Sequence, residues 1–280
     1  MSKRVSICIA NYDRPDVLDR VLASIYRQTL KDVEVVVVDD GSPDAKAVVE
    51  VVKHWHVPKF VRIEREPFYR NPSIARNTAY RCAEGDVIIA QSDDVEHQGN
   101  AIEGLLGEMQ PGKFVIGEVW NVCPKTGCTV PAYKGRWHQL TGPGPPTKQC
   151  PNPERPLFFL GALYRKDLYA VGGNDEEFLT PGAEDRWFGD CLMRGQGLKP
   201  HYTNNAVGHH LDHTRPTNLG RIVAPSLVLC KYKYKEAERT GVWCSMGGPW
   251  PYTHGVSISE MKRRKRLLRE KMERERKSCE

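Results

Sequence analysis

The chain has 280 residues, 40% of them hydrophobic and 27% charged, the composition of a soluble globular protein with room for one large domain or two small ones. No run of about 18 apolar residues exists, which excludes a membrane-spanning helix, and the nine cysteines are odd in number and scattered, so a reduced, cytoplasmic chain is expected rather than a disulfide framework. The net charge of +6 is uneven: residues 259–280 carry ten Lys or Arg against five Glu, so the tail holds +5 and the rest of the chain only +1.

The opening Met-Ser-Lys-Arg leads straight into a strand pattern, and no signal peptide is expected. Val5 to Ala10 reads as a buried strand. Asn11-Tyr12-Asp13-Arg14-Pro15 is turn chemistry, with Pro15 placed to open a helix whose apolar face is Val17, Leu18, Val21, Leu22 and Ile25. Val33 to Val38 is a second strand, ended by Asp39-Asp40-Gly41-Ser42-Pro43, and a helix follows to about His56. Phe60 to Ile63 is a third strand and Ile74 to Cys82 a third helix. Val87 to Ala90, short and β-branched after Gly85-Asp86, is a fourth strand. Four alternations of strand and helix predict an α/β fold with a mostly parallel sheet and right-handed crossovers.

The fourth strand runs into Asp93-Asp94, with Glu96 and His97 just beyond. Two close carboxylates are costly unless a cation lies between them. Oxygen ligands suit Mg²⁺ or Mn²⁺, ions that usually arrive with phosphates. The same pair could instead cap a helix starting near residue 97, and alone it does not choose. In a parallel sheet, however, Asn11-Tyr12-Asp13, Asp39-Asp40 and Asp93-Asp94 all fall on one rim, which points to a nucleotide cleft.

These segments carry a resemblance. Val-Ser-Ile-Cys-Ile-Ala-Asn-Tyr, Ala-Ser-Ile-Tyr-Arg-Gln-Thr-Leu, Val-Val-Val-Val-Asp-Asp-Gly-Ser-Pro-Asp, Ile74-Ala-Arg-Asn77, Ala83-Glu-Gly-Asp86 and Ser92-Asp-Asp94 follow in order over residues 4–97. Together they resemble the amino-terminal half of family-2 glycosyltransferases with the GT-A fold. The resemblance implies a nucleotide-diphosphate sugar donor, most often a UDP-sugar. It places Ala10 and Tyr12 at the donor, Asp40 at the base, Arg76 near the nucleotide, and Asp93 and Asp94 at the ribose and the metal, Mn²⁺ or Mg²⁺. One position departs: the family usually has a further acid before the final Asp-Asp, and here it is Gln91. That leaves Asp94 as the main metal ligand, with Glu96 as its partner in a shifted Asp-x-Glu pair. His97 is expected at the surface, at the start of the next helix.

Residues 98–119 add a helix and a strand, and the pattern then breaks. From Asn121 to Pro156 the chain is rich in Pro, Gly and Lys, with Tyr133 and Trp137 inside it, the character of an acceptor-facing loop. Cys123, Cys128, His138 and Cys150 could gather around zinc, although unrelated thiols about a Pro-Lys-Thr-Gly turn are the simpler reading. A strand over Leu157–Tyr164, a short helix, Gly172-Gly-Asn-Asp-Glu-Glu-Phe178 and Glu184-Asp185 at a helix start again resemble the family. Asp185 then matches the general base of inverting members, which takes the acceptor's proton. Otherwise Glu184-Asp185 only favours a helix N-terminus. Trp187 and Phe188 beside it are expected to pack in the core.

Val207-Gly-His-His-Leu-Asp-His213 concentrates histidines, and the resemblance makes His209 or His210 a further metal ligand; a solvated loop of histidines is an equal alternative. Leu219 to Tyr234 reads as a helix. The Trp-rich Gly241 to Tyr252 is either a lid or a segment packed back across the body.

The expected organisation is one GT-A-like domain, with a donor half at residues 1–119, an acceptor and catalytic half at 120–258 and a basic C-terminal helix at 259–280. The expected activity is inverting, metal-dependent transfer of one sugar to an acceptor hydroxyl on a glycan or lipid-linked saccharide. The Gln-x-x-Arg-Trp motif of processive synthases does not occur. Two alternatives remain at this stage: transfer to modified bases in DNA, and a non-catalytic nucleotide-sugar binding module, which Gln91 keeps open. The basic tail suits an anionic membrane surface, nucleic acid or plain solvent.

Overall fold

The computed structural model describes residues 4–64, 71–121, 139–144, 146, 152–211, 213 and 219–250. The proposed zinc cluster of Cys123, Cys128, His138 and Cys150, the aromatics Tyr133 and Trp137, and the basic tail 259–280 lie outside the described residues.

Four strands carry the first half: β1 (Val5–Asn11), β2 (Glu34–Asp39), β3 (Lys59–Arg62) and β4 (Val87–Ser92). They pair in parallel in the order β3-β2-β1-β4. Three helices connect them: α1 (Pro15–Tyr26), α2 (Ala45–His54) and α3 (Ser73–Cys82). Pro15 opens α1 as expected, and Leu18, Val21, Leu22 and Ile25 are buried beneath it. Each such side chain contributes about 1.5–3 kcal/mol on leaving water. Asp44 caps α2 by accepting from the Ala47 amide at 3.0 Å. The all-valine run Val35–Val38 is buried throughout because helices cover both faces of β2.

The second half is mixed. The chain continues as β5 (Val95–Gln98), α4 (Ala101–Gly107), β6 (Lys113–Asn121), β7 (Gln139–Thr141), β8 (Leu160–Tyr164), α5 (Arg165–Val171), α6 (Glu184–Asp190), a π-helical turn (Cys191–Gly195), β9 (Lys199–His210) and α7 (Leu219–Thr240). β8 runs antiparallel to both β4 and β6, β6 is parallel to β9, and β9 is antiparallel to β5. Among the described residues this makes one sheet ordered β3-β2-β1-β4-β8-β6-β9-β5, with β7 paired to β6. Only Asp93 and Asp94 separate β4 from β5, yet the two strands stand four places apart in that order. The sheet therefore curls, and β5 returns beside the end of β4. Two apolar layers result: one under α1, α2 and α4, the other under α3 and α5 to α7. No helix among the described residues is long and apolar enough to cross a membrane.

One expectation changes here, and two open alternatives close. His97 does not sit at a helix start on the surface: it is in β5, 4% exposed. Its Nδ1 accepts from Gln28 Nε2 at 2.6 Å and its Nε2 meets Gln91 Oε1 at 2.8 Å. Gln28 Oε1 accepts the Ile102 amide, which turns its NH₂ toward the ring. The imidazole is thus neutral with the proton on Nε2, and burial pulls its pKa down to about 4. Second, the Asp pair caps no helix near residue 97, because α4 begins only at Ala101. Third, the tryptophan-rich segment packs back across the body. Ser245 N donates to Val171 O at 2.9 Å, Trp250 N donates to Tyr169 O at 2.7 Å, and Arg81 stacks 3.8 Å from the Trp250 ring. Trp187 and Phe188 are core residues, 3% and 1% exposed.

Candidate active site

A cleft of about 970 Å³ opens at the carboxyl ends of β1, β2 and β4. Ala10, Tyr12, Asp40, Asp93 and Asp94 line the sheet side, as strand ends of one rim should. Arg76 from α3, Asp185 from α6 and His210 from β9 also line it, so the cleft gathers residues up to 200 positions apart. Of the two acids at the end of β2, Asp39 is taken up by Arg62 and Ser42, and Asp40 stands on the cleft wall.

Sheet register brings together a set of residues that could hold an ion. Val95, directly after Asp94, pairs with His210, and Leu211 N donates to Asp94 O at 2.7 Å. This ladder sets His210 Nε2 3.4 Å from Asp94 Oδ2, and His213 Nε2 lies 3.1 Å from the same oxygen. The three residues offer ligand atoms within 4.8 Å of one another. Neighbouring ligands on an octahedral ion with bonds of ~2.1 Å stand about 3 Å apart, so the set fits a divalent ion. Buried Asp94 Oδ1 has no hydrogen-bond partner among the described residues, a cost that a cation would remove. Burial alone would raise the Asp94 carboxyl, but His210, His213 and Arg14 outweigh it and hold it well below the usual carboxylate range.

Sequence reasoning left His209 and His210 equal, and strand alternation separates them. His210 faces the acid, whereas His209 sits opposite Glu96, outside the cluster. Glu96 turns to Arg20 at 3.1 Å and Arg27 at 4.0 Å, so it forms no shifted pair with Asp94. His213 is a candidate ligand that the sequence did not single out. Strand periodicity would put it on the face of His209, but β9 ends at His210, so that period does not extend to His213. Gln91 is buried against His97 and does not line the cleft. An acid at that position would face the core, so its absence removes nothing from the site.

Opposite the histidines, Asp185 Oδ1 accepts from Arg76 Nη1. Burial disfavours the charge on Arg76, but Asp185 leads the groups that offset it and keep the guanidinium ionised. The acids reach the cleft through Ala183, which sits at φ +68° immediately before α6. A left-handed alanine costs roughly 1–2 kcal/mol, strain of the kind found at functional turns. Glu184 Oε2 accepts the Gly182 amide at 2.7 Å and locks this turn.

Burial, and then the charge of Asp185, push the Glu184 carboxyl up to about 7. The folded state thus holds this proton more tightly than the unfolded chain, whose carboxyl titrates near 4.3. The stabilisation is complete below that value and lost as pH rises through about 7. Glu184→Gln should therefore gain stability over wild type between pH 5 and pH 8, by up to about 3 kcal/mol. Denaturant melts of both proteins at the two pH values measure it; a constant difference would show that Glu184 titrates normally.

With the fold and the site in place, comparison with known proteins identifies the chain. A profile for Glycosyl transferase family 2 matches residues 6–170. The chain belongs to this family. Over 122 residues it is 28% identical to the poly(ribitol-phosphate) beta-N-acetylglucosaminyltransferase TarP of Staphylococcus aureus (strain N315), a stretch covering 41% of this chain and 36% of TarP. Among solved structures it resembles the mannosyltransferase PcManGT from Pyrobaculum calidifontis in complex with GDP-Man and Mn²⁺, at TM-score 0.56 and 21% identity over 84% of this chain and 65% of that one. It also resembles GalNAc-T7 with UDP, GalNAc and Mn²⁺, at TM-score 0.57 and 18% identity over 95% of this chain and 54% of that one. This family-2 chain has the GT-A fold, and it spans less than two thirds of the length of each of these relatives.

Proposed function

We propose that the chain transfers one sugar, with inversion, from a nucleotide-diphosphate sugar to an acceptor hydroxyl, using a divalent ion. The observation that carries this reading is the cluster of Asp94, His210 and His213, which shares a cleft with Asp40, Arg76 and Asp185. Asp40 and Tyr12 would receive the nucleoside, and Asp93 the ribose. Asp94, His210 and His213 would hold the ion, which supplies charge to neutralise the leaving diphosphate. Two imidazoles in the donor set favour Mn²⁺ over Mg²⁺, which prefers oxygen and keeps its waters. Support for Mn²⁺ also comes from PcManGT and GalNAc-T7, whose structures contain it, and support for a polyol-phosphate acceptor from TarP, a poly(ribitol-phosphate) beta-N-acetylglucosaminyltransferase.

In the transfer step the acceptor oxygen forms a bond to the anomeric carbon as the carbon–oxygen bond to the diphosphate breaks. The bonding electrons leave with the nucleoside diphosphate, and the acceptor's proton passes to Asp185. Arg76 engages Oδ1 of that carboxylate, so Oδ2 is the oxygen assigned to the proton.

The test is a panel of UDP- and GDP-sugars with Mn²⁺, read as release of free nucleoside diphosphate. One donor should be cleaved, and a chelator should stop it. If no donor even binds, the cleft has another ligand and the proposal falls. A non-catalytic binding module would bind a donor and never release the diphosphate, with or without a polyol-phosphate or glycan acceptor.

A further inference from the structure

We infer that Arg14 is a cationic placeholder in the ion site, which makes ion binding conditional on the donor's diphosphate. This rests on reading Asp94, His210 and His213 as ion ligands. Arg14 occupies the N-cap position of α1 but makes no side-chain capping bond, although that position favours Ser, Thr, Asp or Asn. Its side chain goes instead to the cleft, where it is 17% exposed. There a single nitrogen, Nη1, lies 3.0 Å from Asp93 Oδ1 and 2.9 Å from Asp94 Oδ2. Asp94 Oδ2 is the same oxygen that both imidazoles face.

The charge balance at this spot has consequences. Two ionised carboxylates and one guanidinium leave a net charge of −1, already largely neutralised. A divalent ion on Asp94 would turn that to +1 beside Arg14, in a place where Asp94 is only 5% exposed and water screens little. A diphosphate restores the balance, because its oxygens give both the ion and the guanidinium a partner. Ion and diphosphate should therefore bind together far better than either binds alone, and by linkage the gain is reciprocal. Without the Arg14 charge, Asp94 and the two imidazoles would hold the ion without a competing cation, and the coupling would shrink.

The experiment is calorimetric titration of Mn²⁺ alone into the full chain, then Mn²⁺ with saturating UDP and, separately, GDP. Wild type, Arg14→Gln and Arg14→Lys are compared, with circular dichroism to confirm folding. Arg14→Gln should tighten binding of Mn²⁺ alone by between about 5- and 150-fold, the usual span of coupling between sites, and should reduce the nucleotide's gain by the same factor. Arg14→Lys keeps the charge and should bind Mn²⁺ alone as wild type does. Should Arg14→Gln not fold, Arg14→Met keeps the apolar stem and tests the same point. Unchanged or weaker binding of Mn²⁺ alone in the charge-free variants overturns the inference, provided wild type takes up Mn²⁺ with nucleotide. If no protein binds Mn²⁺ under any condition, the ion reading itself is wrong and the inference goes with it.

Discussion

Replacing Asp185 with Asn should lower the rate of sugar transfer by about 10²- to 10⁴-fold, the range for loss of a positioned general base. Asn keeps the shape and can still accept from Arg76, so donor affinity in Mn²⁺ should stay close to wild type. The loss should appear in kcat and be absent from the dissociation constant of the donor nucleotide. That split separates a base from a structural anchor. Arg76 is buried and relies on Asp185 for charge compensation, and removing one partner of a buried pair costs about 3–5 kcal/mol. A loss of thermal stability is therefore expected in either case; if Asp185→Asn also lost nucleotide binding, Asp185 would be the anchor of Arg76 and the base would lie elsewhere. Full activity in the variant would remove Asp185 from the chemistry altogether.

The second large effect should follow Asp94→Asn. Asp94 supplies the one carboxylate of the proposed ion set, and its Oδ2 is shared by His210, His213 and Arg14. Loss of groups that merely support ligands typically costs 10- to 100-fold in metal affinity, so loss of a ligand should cost at least about a hundredfold. Transfer should fall by about a thousandfold, since an ion on a leaving diphosphate contributes several kcal/mol. Unlike Asp185→Asn, this variant should also weaken nucleotide binding in Mn²⁺. Glu96→Gln is the control: its carboxylate lies two residues further along the chain, in β5, but meets Arg20 and Arg27 outside the cleft. Manganese titration of the two variants decides the matter. Equal loss in both would mean that the local backbone between β4 and β5, and no particular ligand, is what the substitutions disturb.

Much of the amino-terminal half was legible because it is local. In β1, α1, β2 and α2, the apolar period and Pro15 agree with the tertiary position of each element. His97 shows where that stops. A four-residue strand after a two-residue turn offers too few positions for a period to declare itself, and Asp-Asp before it looks like a helix cap. What buries His97 is a set of partners: Ser24 in α1, Gln28 just after it and Gln91 in β4. No window along the chain contains them all. Gln91 was misleading for the same reason: it looked like a missing acid at the site, but its side chain belongs to this neutral network.

The sequence by itself determined the α/β alternation, the rim of polar strand ends and the family, because each depends on short-range pattern and residue type. It also marked Asp94 and the histidine-rich run as candidates for an ion. Only the tertiary structure decided which histidines meet that acid. The curl of the sheet returns β5 beside β4, and the antiparallel register of β5 with β9 then puts His210, but not His209, against Asp94. A one-residue slip in that pairing would exchange the two faces. Such a choice rests on hydrogen bonds between strands more than 100 residues apart, a physical fact that local periodicity does not carry.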